Sequence, residues 1–264
     1  MKNVASRTAA LVVAAMLFAA SAAFGDEVRV ITSGAFTAAY LELVPEFERA
    51  TGHKVVTAFG GSAGNTPDTI PNRLQRGEPT DLVIMAASGL DALIKQGKVV
   101  PGSRVDLVRS SIGMVVKAGA LKPDISTIDA LKQTLLRAKS IAYSASASGI
   151  YLSTELFQKL GIADQVLPKS KNAEGQRVGS LVARGEAEIG FQQISELLPE
   201  PGVDYVGPLP AAAQRVTVFS AGIVVGAKAP DAARALVKFL ASESAAAVIK
   251  KTGLEPLVEP VAAR

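Results

Sequence analysis

Four stretches of the sequence carry small, hydroxyl or amide residues where a strand is predicted to end, and the first three of them precede a predicted helix. They are Ser33-Gly34, Gly60–Asn65, Ser144–Gly149 and Phe191–Ser195. Backbone N–H groups at a helix start have no partner inside the helix, and the positive end of the helix dipole lies behind them. Each stretch alone fits an ordinary N-cap, but the four together favour one shared site for an anion.

Groups able to catalyse a reaction are few. His53 is the single histidine, it falls at a predicted helix-to-strand turn, and no G-x-S-x-G elbow accompanies it, so a Ser–His–Asp triad is not indicated. The chain has no cysteine, which removes thiolate nucleophiles and Cys-based zinc sites. Acid–base catalysis by a serine, tyrosine, lysine or carboxylate stays open, because one positioned base suffices for a proton shift. The sequence assigns no catalytic residue and no metal ligand.

The glycine-rich stretch does not match a nucleotide-binding loop. The segment from Phe59 to Ile84 contains neither G-x-x-x-x-G-K-[ST] nor G-x-G-x-x-G, and no lysine follows its glycines. A triphosphate site therefore lacks the lysine that reaches the outer phosphates. No cofactor is predicted.

Three arginines are candidates for binding a negatively charged ligand. Arg104 and Arg109 flank the apolar run Val105–Val108, and Arg177 opens a predicted helix after Asn172–Gly175. A carboxylate ligand favours a bidentate arginine. Most arginines lie at the protein surface and bind no ligand, and this alternative interpretation applies to each of the three.

The first residues have the layout of a secretory signal peptide. Lys2 and Arg7 precede the apolar run Ala9–Ala20, which is too short for a membrane span, and small residues up to Gly25 follow. We predict a signal peptide at residues 1–25, with cleavage after Ala23 or Gly25, and a periplasmic mature protein. Removing its two cations from 28 Lys and Arg leaves 26 against 24 Asp and Glu, so the mature chain is close to neutral. Because no basic stripe is present, nucleic acid is not expected as a partner.

Strand-like and helix-like segments alternate along the mature chain, which predicts an α/β protein with parallel sheets covered by helices. Ligands of such sheets bind beyond the carboxyl ends of the strands. Strands are predicted at 28–31, 54–58, 81–85, 112–117, 140–143, 187–192, 203–206 and 216–225, and helices at 36–52, 70–76, 89–96, 128–138, 149–160, 177–184, 230–241 and 244–252.

Four segments resemble the periplasmic molybdate-binding protein family, which has the type II solute-binding fold. They are TSGAFTAAYLELVPEFERATGHKVVTAFGGSAG, RGEPTDLVIMAA, SASGIYLSTELFQKLG and LVARGEAEIGFQQ. The resemblance implies two α/β lobes, mainly parallel sheets flanked by helices, and a ligand cleft between the lobes. Lobe I would consist of residues 26–108 and 220–264, and lobe II of residues 109–219.

The same resemblance implies a set of ligand-binding residues. The family holds a tetrahedral oxyanion with serine hydroxyls and backbone amides, and its tyrosine contact is replaced by glutamine in this chain. The loop that carries the second serine is about four residues longer than in the family. The predicted ligand-binding residues are Ser33, Gly34, Ser62, Asn65, Ser148, Gly149, Gly175, Arg177, Gln193 and Arg109.

Two functions follow from the resemblance and stay open at this point. The first is capture of a small anion, an oxyanion or a carboxylate, for the membrane permease of an ABC-type transporter. The second is the activity of an aconitate isomerase, an exported enzyme that is similar to the same family and interconverts cis- and trans-aconitate. A longer loop with arginine and glutamine in the cleft would suit a polycarboxylate. A monomer is expected in both cases.

Overall fold

The structure, a computed structural model, describes residues 25–257. The signal peptide predicted for residues 1–25 lies outside this range except for Gly25. Within the range, no helix combines the length and the apolar composition that a bilayer crossing requires. The chain folds into two α/β lobes, each built on one sheet, with a cleft between them. The predicted fold class, an α/β protein of two lobes with a cleft between them, is confirmed.

Within residues 25–257, eleven strands form the two sheets. They are β1 (Glu27–Thr32), β2 (Lys54–Phe59), β3 (Leu82–Ala86), β4 (Val105–Ser110), β5 (Ile112–Lys117), β6 (Ile141–Ser144), β7 (Ser170–Ala173), β8 (Ile189–Gln193), β9 (Val203–Pro208), β10 (Thr217–Ile223) and β11 (Glu255–Pro256). The first sheet has the order β11-β4-β10-β3-β1-β2, and the second has the order β7-β6-β8-β5-β9. Every predicted strand is present. The sequence patterns missed β4, β7 and β11, because these strands are short or carry polar residues that interrupt the apolar pattern.

The sheets are mixed, which corrects the expectation that they are mainly parallel. Parallel pairing joins β1 to β2 and β3, and β6 to β7 and β8. The strands that enter or leave a lobe, β4, β5, β9 and β10, pair antiparallel with their neighbours. β4 and β9 lead out of a lobe, and β5 and β10 enter one. Because each of these crossings joins strands of different sheets, it is not a βαβ unit and does not impose parallel pairing.

The chain crosses between the two sheets twice. Ser111 alone separates β4 from β5, and residues 209–216 lead from β9 back to β10. The predicted lobe boundaries, after residue 108 and before residue 220, fall inside β4 and β10 rather than between elements. Both of these strands belong to the first sheet over their full lengths. The first crossing therefore comes after Ser110 and the second ends before Thr217, each a few residues away from the predicted boundary.

In the part of the chain that the structure describes, eleven α-helices cover the sheets. They are α1 (Thr37–Thr51), α2 (Ile70–Gln75), α3 (Ala87–Lys95), α4 (Ile128–Arg137), α5 (Ala147–Tyr151), α6 (Phe157–Lys159), α7 (Ala163–Val166), α8 (Val178–Ala183), α9 (Ile194–Leu197), α10 (Pro230–Leu240) and α11 (Glu243–Lys251). A π-helical turn, Leu152–Leu156, joins α5 to α6. All predicted helices are present. The two that were missed, α7 and α9, have four residues each, too few to show a helical period.

Helix α1 shows how the sequence pattern sets the packing. Ala39, Tyr40, Leu43 and Phe47 recur at helical spacing and are the buried residues of the helix. Their stripe packs into the apolar cluster on one face of the first sheet. The helix ends at Gly52, whose φ of 77° is the left-handed conformation that glycine adopts without strain.

Strand β3 is covered on both faces. All five of its residues are buried. Leu82 and Ile84 belong to the cluster beneath α1 and α10, whereas Val83 and Met85 belong to a second cluster on the opposite face. Because alternate residues of a strand point to opposite faces, a continuous apolar run is what a doubly covered strand requires. The end of this strand therefore holds a fixed position beside the cleft.

A close approach of helix α5 to strand β6 fixes one wall of the cleft. Gly149 lies against the carbonyl of Ser144, and a Cβ atom at this glycine would lie 1.7 Å from that oxygen. The amide of Gly149 also donates to the Ser144 hydroxyl over 3.2 Å. Only glycine permits this distance, so the loop between β6 and α5 is held tightly against the end of the strand.

We predict that Gly149→Ala destabilises the protein by about 3 kcal/mol or more, since the helix must move away from β6 to admit the methyl group. Thermal or urea unfolding of the purified variant measures the effect. Gly207→Ala is the matched control, because a Cβ atom at Gly207 in β9 meets its nearest neighbour only at 4.0 Å. A similar loss in both variants would contradict the close approach.

Candidate functional site

The cleft has a volume of about 600 Å³ and is lined by both lobes. It lies beyond the carboxyl ends of parallel strands, where ligands of open α/β sheets bind. Strands β1, β2, β6 and β8 end there, at Thr32, Phe59, Ser144 and Gln193. Each of the four stretches singled out in the sequence contributes residues to the lining.

Ser33 offers the cleft a free hydroxyl. The residue is 2% exposed, and its Oγ is one of two buried side-chain polar atoms within residues 25–257 that have no hydrogen-bond partner. It precedes the 3-10 turn Gly34–Phe36 without capping it through its side chain. A buried hydroxyl without a partner costs about 1–3 kcal/mol. A ligand in the cleft would supply that partner.

The second such atom lies behind the cleft wall. Thr69 Oγ1 is buried at the start of α2 and also has no partner. Thr69 is absent from the residues that line the cleft, so this hydroxyl does not face a ligand there.

Ser62 and Ser148 both line the cleft, but they offer different hydrogen-bond donors to a ligand. The amide of Ala86 donates to Ser62 Oγ over 2.9 Å, which occupies one lone pair and leaves the hydroxyl proton of Ser62 to donate. Ser148 Oγ lies 2.9 Å from Ser144 Oγ, so one of these two hydroxyls donates to the other and the Ser148 side chain already has a partner. Ser148 is the second residue of α5, and an amide in that position has no partner within the helix. The geometry favours a hydroxyl role for Ser62 and an amide role for Ser148.

Gln193 lines the cleft, but its side-chain amide is hydrogen-bonded to the strands at which the chain crosses between the lobes. Its Oε1 accepts from Ser110 Oγ over 2.7 Å, and its Nε2 lies 3.5 Å from Thr217 Oγ1. Ser110 ends β4 and Thr217 begins β10, at the two places where the chain passes between the sheets. The side chain is 2% exposed. Gln193 therefore links the two crossings, and at most one of its amide protons is left for a ligand.

Gly175 and Arg177 stand on the second lobe's side of the cleft. Gly175 has a φ of 66°, the left-handed conformation that suits glycine in the turn after β7. Arg177 immediately precedes α8, and its Nη1 lies 3.4 Å from Glu200 Oε2. With 58% of its side chain exposed, the guanidinium is only loosely held and is able to turn toward an anion.

Three predicted ligand-binding residues are not placed on the cleft wall. Asn65 is exposed in the loop after β2, and Gly149 serves the contact between α5 and β6. Arg109 pairs with Glu255 over 2.8 Å on the first sheet, where β11 covers β4. Arg109 was predicted because it lies beside an apolar run in the sequence. Alternate residues of β4 point in opposite directions, and the side chain of Arg109 points away from the cleft.

Glu196 is the residue that sequence reasoning missed. It belongs to the short helix α9, is half-buried and lines the cleft. Its Oε2 accepts a hydrogen bond from Gln192 Nε2 over 2.7 Å. The same oxygen lies against Gly34, where a Cβ atom would approach it to 2.1 Å. Gly34 therefore provides the space that the carboxyl group occupies.

Burial raises the pKa of Glu196 to about 7, against the opposing attraction of Arg177 and the hydrogen bond from Gln192. A carboxyl group with such a pKa exchanges protons readily near neutral pH. The signal in the sequence was weak, because a glutamate in the first turn of a helix usually only complements the helix dipole. Its burial depends on the opposite lobe, which the local sequence does not reveal.

The long loop after β2 reaches the second lobe. Thr66 and Asp68 line the cleft, and Gly64 approaches the opposite lobe so closely that a Cβ atom there would lie 2.8 Å from the carbonyl oxygen of Ala145. Gly64 has a φ of 106°, which side chains other than glycine rarely adopt. The additional residues of this loop thus close one end of the cleft.

The cleft combines many donors with little formal positive charge. Among the described residues that line it, three carry charge: Asp68, Arg177 and Glu196. Hydroxyls and first-turn amides supply the remaining donors. Such a lining offers hydrogen-bond donors and one guanidinium to an anion, and it also carries the two carboxyl groups of Asp68 and Glu196.

Comparison with known protein families and with curated proteins gives consistent results. Residues 28–255 match the family described as bacterial extracellular solute-binding protein. The chain is 48% identical over 228 residues to the aconitate isomerase of a Pseudomonas species, covering 86% of this chain and 87% of that protein. It is 30% identical over 245 residues to the molybdate-binding protein ModA of Azotobacter vinelandii, covering 89% of this chain and 92% of that one.

Comparison with solved structures supports the same fold. The periplasmic molybdate-binding protein of Azotobacter vinelandii superposes with a TM-score of 0.68 at 24% identity. The match covers 89% of this chain and 100% of that chain. At this identity the likeness concerns the fold, and it agrees with the two lobes and the central cleft.

We predict that Glu196→Gln stabilises the free protein at alkaline pH. The pKa of Glu196 is raised on folding, so the unfolded chain holds fewer protons between about pH 4.5 and pH 7 and the stability contributed by this group falls over that interval. Above pH 7 the glutamine variant should be more stable by on the order of 1–3 kcal/mol. Near pH 5 the two proteins should unfold at similar temperatures. Thermal melts between pH 5 and pH 8 measure the difference, and a constant offset would contradict the raised pKa.

Proposed function

The chain belongs to the bacterial extracellular solute-binding protein family, and we propose that its cleft binds a small polycarboxylate and isomerises it by a proton shift, with cis- and trans-aconitate as substrates. The relative that shares 48% of its residues is named aconitate isomerase. This identity alone does not assign the reaction, since the same scaffold also serves carriers.

A single observation carries the proposal: Glu196 presents a carboxyl group with a pKa near 7, held between the two lobes, to a cleft whose other lining groups are mainly hydroxyls, amides and one guanidinium. A carrier of anions needs donors only, and an ionised carboxylate on its wall would repel the ligand. A proton-shifting enzyme requires a group that accepts a proton from carbon and returns it. Glu196 meets that requirement near neutral pH.

One base is sufficient for the proposed reaction, because the proton that it removes is also the proton that it returns. The Glu196 carboxylate removes a proton from the CH₂ group of trans-aconitate, and the electron pair of the broken C–H bond enters the adjacent double bond system. The negative charge is delocalised onto the neighbouring carboxylate. The carboxyl group then returns the proton to the former vinyl carbon, so the double bond has moved and its geometry can change to cis. No oxidant, reductant or leaving group takes part.

The remaining cleft residues hold and stabilise the carboxylates. Ser33 has a hydroxyl without a partner and Ser62 has a proton to donate. Arg177, which is loosely paired with Glu200, can turn to form a bidentate pair with a carboxylate. Donors fixed in advance around a developing negative charge lower the barrier without reorganisation. The amide of Ser148 adds a donor from the second lobe.

A second candidate function is delivery of a small anion to an ABC-type transporter from the periplasm. The family match and the relative named ModA favour it, as does the arrangement of two lobes around a cleft, whose closure a membrane permease recognises in this mechanism. In either function the protein acts as a monomer in the periplasm.

We predict that the purified mature protein converts trans-aconitate to cis-aconitate, with kcat rising as Glu196 loses its proton and levelling off above about pH 7. Glu196→Gln should lose at least about 100-fold in kcat, because a positioned base contributes about 10² to 10⁴. Absorbance or chromatography of the two isomers measures turnover. Binding of aconitate with a raised melting temperature but no turnover would instead support the carrier.

We predict unequal effects for two serine variants. Ser33→Ala removes a hydroxyl that has no other partner, so affinity for the carboxylate ligand should fall by about 10- to 100-fold. Ser148→Ala keeps the amide and should change affinity by less than about threefold. Isothermal titration with cis-aconitate measures both. Equal losses would show that the hydroxyl and amide roles are wrongly assigned.

A further inference from the structure

Adjacent glutamines at the end of β8 make different contacts. Gln193 turns toward the crossing strands, whereas Gln192 turns toward α8 and α9, as the alternation of a strand requires. Gln192 is 6% exposed. Its Oε1 accepts from the amide of Val178, the first residue of α8, over 3.2 Å. Its Nε2 donates to Glu196 Oε2 over 2.7 Å.

The orientation of the Gln192 amide is determined by its partners. A backbone N–H can only donate, so the oxygen of Gln192 must face Val178. The NH₂ group is thereby turned toward Glu196 and donates to Oε2. Gly34 encloses the same oxygen from the other lobe. Glu196 Oε1 has no hydrogen-bond partner among the described residues.

We propose that Gln192 is the positioning residue of this site: it holds one oxygen of Glu196 and leaves the other to exchange the proton with the bound ligand. This role rests on the proposed isomerase function. Gln192 also stabilises the ionised form of its partner, because a hydrogen bond donated to a carboxylate favours the charge.

Charged groups near Glu196 are few, so the hydrogen bond has a measurable effect on its titration. Arg177 is the charged group that acts on it, and Arg177 is itself paired with Glu200. The elements packed against α9 are the turn Gly34–Phe36, β5, β8 and α1. The turn and β8 carry no charged residue, β5 carries Lys117 at its far end, and α1 carries Glu42, Glu46, Glu48 and Arg49.

The variant Gln192→Met tests the role, since it keeps the length of the side chain and removes both hydrogen bonds. We expect kcat at pH 7 to fall by about tenfold or more, with KM changed by less than about threefold. The midpoint of the kcat–pH profile should rise by about one pH unit, because the carboxylate has lost its donor. Gln158→Met, at an exposed position on α6, is the control and should leave kcat and midpoint unchanged.

A second variant covers the case in which the methionine variant does not fold. Gln192→Glu can still accept from Val178 but offers like charge to Glu196, so the midpoint should rise as well. If Gln192 only caps α8, the melting temperature falls and the midpoint stays in place, and this result overturns the positioning role. Absence of turnover by the wild-type protein at every pH overturns the proposed function itself, so the two failures are distinguishable.

Discussion

The central constraint on this molecule is the burial of one carboxyl group at the contact between two lobes. Glu196 comes from the second lobe, and Gly34 of the first lobe leaves the space that it fills. Removal from water raises the pKa of the group to about 7, and the approach of the two lobes maintains that burial. The proposed proton shift therefore depends on the contact between the lobes, because exposure to water favours the charged form of a carboxyl group and returns its pKa toward the ordinary value.

Two adjacent glutamines stabilise this arrangement through different hydrogen bonds. Gln192 contacts the carboxyl group, whereas Gln193 contacts Ser110 and Thr217 at the two crossings between the sheets. One strand end thus contacts both the Glu196 carboxyl group and the segments that join the two lobes. In folds with two lobes around a ligand such segments can act as hinges.

A scaffold for binding anions needs few changes to become one that moves a proton. Donors such as Ser33 and the first-turn amide of Ser148 hold a negative ligand in either case. In the proposed function the carboxyl group of Glu196 supplies the base, and the loop after β2 meets the second lobe where Gly64 approaches Ala145. The fold by itself does not distinguish the two functions, because one scaffold can serve both.

The sequence by itself determined the α/β class, the order of the long elements and the stretches that supply donors, because periodicity and helix-start chemistry are local properties. It identified Ser33, Ser62 and Arg177 as residues of the cleft. Only the tertiary structure placed Arg109 on the far side of β4, turned Gln193 to the crossings and buried Glu196 against Gly34. Side-chain direction and desolvation arise from residues that are distant in the sequence and close in the fold, and no local pattern encodes them.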